Sequence, residues 1–224
     1  LLQSSHYFEI AKKEFPHHGI QTSELKLDVK AMLARKDKVV IDLTNGIEFL
    51  MKKNGIDYIV GSGEITAPKE VLVKGYKKGA KEKVLKTESI IIATGSEVTP
   101  LSGIDIDEKL ILSSTGALDL TKVPKTMAVI GAGVIGLELG SVWRRLGSEV
   151  TVIEFLDVVL PGMDAEISKI MSRTLKKQGM KLKLQTKVIG ANRSKSDVTL
   201  TLEPRDGGKS ETLKADVVLV AVGR

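Results

Sequence analysis

The stretch from Val129 to Glu138, VIGAGVIGLE, spaces its glycines as G-x-G-x-x-G where an apolar run passes into a helical pattern. Few local sequences restrict a fold so narrowly. Gly131 permits a tight turn, Gly133 presents no Cβ to an approaching pyrophosphate, and Gly136 lets the helix lie close on the strand. The unpaired amides and positive dipole end of that helix then face the phosphates. Such a site needs a second strand ending in an acid about 20 residues on, which accepts hydrogen bonds from the adenosine ribose. The run Glu149 to Glu154 supplies it, with Glu154 standing 23 residues after Gly131. A carboxylate there repels a 2′-phosphate, and Phe155, Leu156 and Asp157 add no positive charge, so the pattern favours NAD over NADP. A glycine turn that merely packs, with no ligand, requires neither the second strand nor the acid.

Around this motif the periodicity predicts strand Met127 to Ile130, helix Val134 to Leu146, strand Glu149 to Glu154 and a helix Asp164 to Gln178 capped by Asp164. Strand-like pieces follow at Leu182 to Leu184, Lys187 to Ile189, Val198 to Leu202 and Ala215 to Val222. Alternating strands and helices imply an α/β fold, a Rossmann-like domain on a parallel sheet with right-handed crossovers. Upstream, apolar residues from Val29 to Met51 recur at three- and four-residue steps, which predicts one long helix capped by Asp28 and stopped at Asn54-Gly55. Short β-rich runs between Ile56 and Leu85 read as a meander leading to a buried strand, Ile90 to Ala93. The turn-rich stretch Thr94 to Pro124 marks a boundary, with domains at 1–123 and 124–224. A second glycine site, Thr94-Gly95-Ser96, ends the Ile90 strand and reads equally as a ligand contact or a plain turn.

Composition narrows the function classes. With no cysteine, the 224 residues hold no disulfide, zinc finger or thiol nucleophile. The net charge of +6 is scattered over pairs such as Lys12-Lys13, Lys77-Lys78 and Lys176-Lys177, and 4% aromatics is too sparse for base stacking, so no nucleic-acid partner is expected. Apolar runs fall short of a membrane span, giving the expectation of a soluble chain with no membrane partner. His6, His17 and His18 lack companions at metal-ligand spacing and read as surface residues, Trp143 as packing against the sheet, and Met32 and Met51 as core fillers. The start at Leu1 and the apolar close at Val217 to Arg224 lead us to expect an internal piece of a longer protein.

The blocks IIATGSEVTP (91–100), SSTGAL (113–118), GAGVIGLELGSVWRRLG (131–147), VIEF (152–155) and PGMDAEI (161–167) together resemble the dihydrolipoamide dehydrogenase family of flavoprotein disulfide reductases, and the likeness runs from LLQSSHY to AVGR. The resemblance implies part of an FAD-binding domain in 1–123 and an NAD-binding domain in 124–224, the two-dinucleotide arrangement of that family. It implies FAD contacts at Gly63, Thr94, Gly95 and Ser96. It implies an NAD loop of Gly131, Ala132, Gly133, Val134, Ile135, Gly136, Leu137 and Glu138, with Glu154 as ribose acid and Val188 and Gly223 lining the site. Glu138 matches the acid that pairs with a lysine near flavin and nicotinamide, a supporting catalytic residue.

The same resemblance puts the FAD glycine loop and the C-x-x-x-x-C redox pair upstream of Leu1, and the catalytic His and Glu beyond Arg224. It implies electron flow from dihydrolipoamide on a lipoyl domain, through a disulfide and FAD, to NAD. It further implies a homodimer serving a 2-oxoacid dehydrogenase complex in the bacterial cytoplasm or mitochondrial matrix. Related mercuric or glutathione reductases and NADH oxidases share the glycine loops, though Glu154 speaks against the NADPH users among them, and the missing cysteines favour an inactive nucleotide-binding module for the isolated chain.

Overall fold

The computed structural model describes every residue except Lys77, Lys78 and Ala80, so the basic pair Lys77-Lys78 lies outside the described residues. The chain packs as two compact units, one of Leu1–Lys36 with Glu97–Arg224 and one of Asp37–Ser96.

The first unit is built on a five-stranded sheet in the order β4-β11-β5-β6-β7, comprising β4 (Ile111–Leu112), β5 (Thr126–Ile130), β6 (Glu149–Ile153), β7 (Lys181–Lys183) and β11 (Val217–Val220). Every pairing in it is parallel. The central strands are apolar at successive positions because both faces are covered. Met127, Val129, Val150, Val152, Val217 and Leu219 face one core, into which helix α4 (Val134–Leu146) sends Leu137, Val142, Trp143 and Leu146. Ala128, Ile130, Ile153, Val218 and Val220 face the other, against Val198, Leu200 and Leu202. Trp143 is fully buried, and its indole N–H donates to the carbonyl of Ala117 at 3.1 Å.

Helix α5 (Ala165–Lys177) joins β6 to β7, and Asp164 caps it by accepting from the Glu166 and Ile167 amides. The second cover is an antiparallel sheet where helices flank many such folds: β8 (Thr186–Arg193), β9 (Val198–Pro204) and β10 (Glu211–Ala215), ordered β10-β9-β8. The run Ala215 to Val222, expected as one strand, is divided between two sheets at Asp216. The Asp216 carboxylate accepts from the Lys125 and Thr126 amides, and its own amide donates to the Thr126 hydroxyl. Those bonds to the start of β5 turn the chain from one sheet into the other. Helix α1 (Leu2–Lys13) packs on α4 and carries an exposed His6; His17 and His18 are exposed in a short 3-10 turn. The short helix α3 (Ser114–Leu118), absent from the sequence expectations, is capped by the Ser113 hydroxyl.

Helix α2 (Val29–Lys53) begins at Asp28, whose carboxylate accepts from the Ala31 amide at 2.9 Å. It ends in a Schellman turn, with Ile56 N–H on the Met51 carbonyl, Gly55 N–H on the Lys52 carbonyl, and Gly55 at φ 66°. Met32 on its first turn is buried, and Met51 near its end is half-buried. The second unit holds a meander of β1 (Ser62–Ala67), β2 (Glu70–Lys74) and β3 (Lys83–Lys86), paired antiparallel. Among its described residues no hydrophobic side chain is buried.

The expected buried strand Ile90 to Ala93 is instead coil, half-buried at Ile90 and exposed beyond it, with Ile91 90% and Ile92 73% accessible. Its β-rich composition is not enough: a strand needs a neighbour to complete its ladder, and the meander pairs only with itself.

Candidate functional site

In an open parallel sheet, ligands bind beyond the carboxyl ends of the strands, where the chain's connections depart in opposite directions from neighbouring strands. Here that point lies between β5, whose connection leads to β6, and β11, which returns on the other side. A cleft of ≈ 750 Å³ opens there, within the range of about 300–1,000 Å³ usual for small-molecule sites. The ends of β5, β6 and β11 contribute Gly131, Glu154 and Gly223 to its walls.

The three glycines do different work. Gly131 has φ 104°, and a Cβ there would stand 2.4 Å from the Ala221 carbonyl oxygen on the neighbouring chain segment. Gly136 lies in the first turn of α4, where a Cβ would stand 2.3 Å from the Gly131 carbonyl oxygen and 3.1 Å from Val129 Cγ1. Gly133 has an ordinary extended conformation, and a Cβ on it would meet nothing within 4 Å. So Gly131 and Gly136 are required by the fold, whereas Gly133 opens onto empty space at the N-terminus of a 13-residue helix. The first-turn amides of that helix have no intrahelical acceptors, and Gly133 has no side chain with which to cap them. A phosphate group fits that space and that dipole end.

Glu154 is 8% exposed and turned toward the loop, its Oε2 accepting from the Ala132 amide at 2.7 Å. Its Oε1 accepts from the Leu156 amide at 2.8 Å. The Ala132 carbonyl in turn accepts from the Leu160 amide at 2.8 Å, so the peptide groups on either side of Ala132 are both held.

Of the residues singled out from sequence, Gly131, Gly133, Val134, Ile135, Glu154, Val188 and Gly223 share the walls of this one cleft. Ala132, Gly136 and Leu137 are buried behind it. Glu138 is exposed on α4 and outside the cleft lining. Gly63 lies on β1, and Thr94, Gly95 and Ser96 are exposed coil, all in the second unit. Gly223 has φ 147° and its carbonyl accepts from the Thr99 amide at 3.0 Å.

The structure adds wall residues the motif did not reveal: Val98, Ser114, Pro161, Lys187 and Arg224. Lys187 lies 3.8 Å from the Glu203 carboxylate, and Arg224 donates to the Ser114 hydroxyl at 3.2 Å. Val98, Ser114 and Pro161 lie in blocks that carry the family resemblance, and Lys187 and Arg224 adjoin Val188 and Gly223, but only tertiary folding brings the segments 98–101 and 114 to the cleft. Among the described residues no His, Asp or Glu cluster has the arrangement of a metal site, and no helix is long and apolar enough to cross a membrane.

A leghemoglobin reductase of Vigna unguiculata is 54% identical to this chain over 224 residues, all of the chain but 42% of that protein. A mitochondrial dihydrolipoyl dehydrogenase of Pisum sativum is 52% identical over 224 residues, again the whole chain and 44% of the relative. The chain therefore spans less than half the length of these curated relatives. Among solved structures, LpdA from Mycobacterium tuberculosis superposes with a TM-score of 0.86 over 99% of this chain and 47% of its own, at 22% identity, a likeness of fold. The pyridine nucleotide-disulphide oxidoreductase family matches residues 3–224. With the parallel sheet, the glycine loop and nearly the full chain in agreement, this protein belongs to the pyridine nucleotide-disulphide oxidoreductase family.

Proposed function

We propose that residues 124–224 bind NAD in the cleft at the ends of β5, β6 and β11, and that residues 1–123 contribute part of an FAD-binding domain. The observation that carries this reading is the open space over Gly133 at the head of α4, with Glu154 beside it. In this reading the α4 amides receive the pyrophosphate, Glu154 accepts the adenosine ribose hydroxyls, and Val188 and Gly223 border the nucleotide. Gly63, Thr94, Gly95 and Ser96 serve FAD, and Glu138 supports the flavin and nicotinamide end. The bound cofactors supply the hydride chemistry, while the chain orients them and sets their electrostatic surroundings.

For the whole protein the proposed activity is dihydrolipoamide oxidation with NAD, a dithiol passing electrons through a disulfide and FAD. The partners that follow are a lipoyl domain, a second copy in a homodimer, and a 2-oxoacid dehydrogenase complex in the mitochondrial matrix or bacterial cytoplasm. A disulfide reductase or NADH oxidase acting on another substrate is the competing reading. Assays of the whole protein with lipoamide and with other disulfides separate them. The absence of cysteine from these 224 residues favours one further reading for the chain by itself, nucleotide binding without dithiol turnover.

Calorimetric titration with NADH tests the site. Because a Cβ at Gly133 meets no protein atom, Gly133→Val should fold and melt like the parent, yet occupy the pyrophosphate space. Binding should weaken by roughly 100-fold or more, about 2.7 kcal/mol. Undiminished affinity in a folded Gly133→Val variant would show that the loop is not the phosphate site.

A further inference from the structure

We propose that Glu154 is a positioning residue as well as a ribose ligand: it sets the shape of the glycine loop before nucleotide arrives, so that nucleotide binding depends on it even where no ribose hydroxyl is present. The cofactor half of this inference rests on the NAD reading above; the loop half does not.

The loop is tied down at every peptide between β5 and α4. Gly131 N–H donates to the Ile153 carbonyl at 2.8 Å, at the end of β6. Ala132, wholly buried, donates to Glu154 Oε2 and accepts from Leu160 N–H. The bond from Ala132 to Glu154 differs in kind, being charge-assisted and made by a side chain rather than by the sheet. Without that carboxylate the Ala132 amide is buried with no acceptor, a condition folded chains avoid by moving the backbone. A displaced Ala132 carries Gly133 with it, and with Gly133 the entrance to the α4 amides. Pyrophosphate binding therefore depends on Glu154 through the loop, in addition to any contact with ribose.

The tether also fixes the carboxylate. Oε1 is held by Leu156 N–H and Oε2 by Ala132 N–H, yet each oxygen has a second lone pair, so both remain able to accept from ribose hydroxyls.

Amide exchange in the protein without nucleotide tests the loop directly. In Glu154→Ala, Ala132 should exchange at least about tenfold faster, while Val129 and Thr151 in the β5–β6 ladder keep their protection. Glu154→Gln has one acceptor oxygen for two amides, so either Ala132 or Leu156, not both, should stay protected. Unchanged exchange at both amides in either variant overturns the proposal, and the glutamine variant decides alone if the alanine variant does not fold.

The cofactor half is read with NADH and with an NADH analogue whose adenosine ribose lacks both hydroxyls. Glu154→Ala should weaken the analogue by at least about fivefold, a loss that no ribose contact explains. Equal binding of the analogue by parent and variant would confine Glu154 to the ribose and overturn this half. If the parent binds neither nucleotide, the NAD reading fails, while the exchange result still stands or falls by itself.

Discussion

Three identical residues at fixed spacing serve two different purposes, and substitution separates them. Ala at position 136 sets a methyl 2.3 Å from the Gly131 carbonyl oxygen, between helix and strand, with no flexible side chain to yield. Such overpacking costs about 1–3 kcal/mol. Ala at position 131 meets the Ala221 carbonyl oxygen at 2.4 Å and must also hold φ 104°, so its cost is the larger of the two. Ala at position 133 meets nothing. Denaturant midpoints should therefore fall for Gly136→Ala, fall further for Gly131→Ala and stay put for Gly133→Ala; a midpoint for Gly136→Ala equal to the parent's refutes this packing account. Sequence spacing identified the right glycines and, by analogy with dinucleotide sites, their roles. It did not reveal that the obstacle facing Gly131 is the backbone after β11, a segment 90 residues further along the chain.

Runs with a sustained apolar pattern were legible even where their partners are distant, as β11 pairs with β5 some 90 residues earlier, while the short elements β4 and α3 carried no such signal. The β5–α4–β6–α5 run follows its apolar periodicity nearly residue for residue because each helix packs on a strand adjoining it in the chain. The Ile90 to Ala93 stretch has equal β propensity and no ladder, and it stays coil. The start of β4 is held by a device with no sequence signature of its own. Asp107 Oδ1 accepts from the amides of Lys109, Leu110 and Ile111, and Oδ2 accepts from Arg193 on β8 at 2.9 Å. Burial works against the charge, but the Ile111, Lys109 and Leu110 amides and the Arg193 guanidinium outweigh it and hold the carboxyl well below the usual carboxylate range. The unfolded chain takes up this proton near pH ~3.9. The folded chain does so only at lower pH. The stabilisation is thus complete above about pH 4 and drains away as pH falls toward the folded value, by up to about 1.4 kcal/mol per pH unit for one proton. Asp107→Asn removes that proton, so its stability should decline less steeply between about pH 4 and pH 2. Parallel acid profiles for parent and variant would mean the Asp107 contacts contribute nothing to acid stability.

Folding and chemistry divide differently along this chain. The first unit has two buried cores on the faces of one sheet and a formed cleft, and the NAD binding proposed above uses residues of that unit alone. Dithiol oxidation requires a group that exchanges with sulfur, and the 224 residues contain no cysteine. No arrangement of the remaining side chains replaces a disulfide as a two-electron acceptor from a dithiol. Mixed with dihydrolipoamide, NAD and added FAD, this chain should therefore form no NADH beyond the protein-free rate, although it binds NADH saturably when titrated with that nucleotide alone. The check is NADH absorbance over time, compared with the same mixture lacking protein and with one containing Gly133→Val. A protein-dependent rise that Gly133→Val abolishes would mean that the cleft passes electrons from dithiol to NAD without a disulfide, and the division of labour proposed for this family member would have to be redrawn.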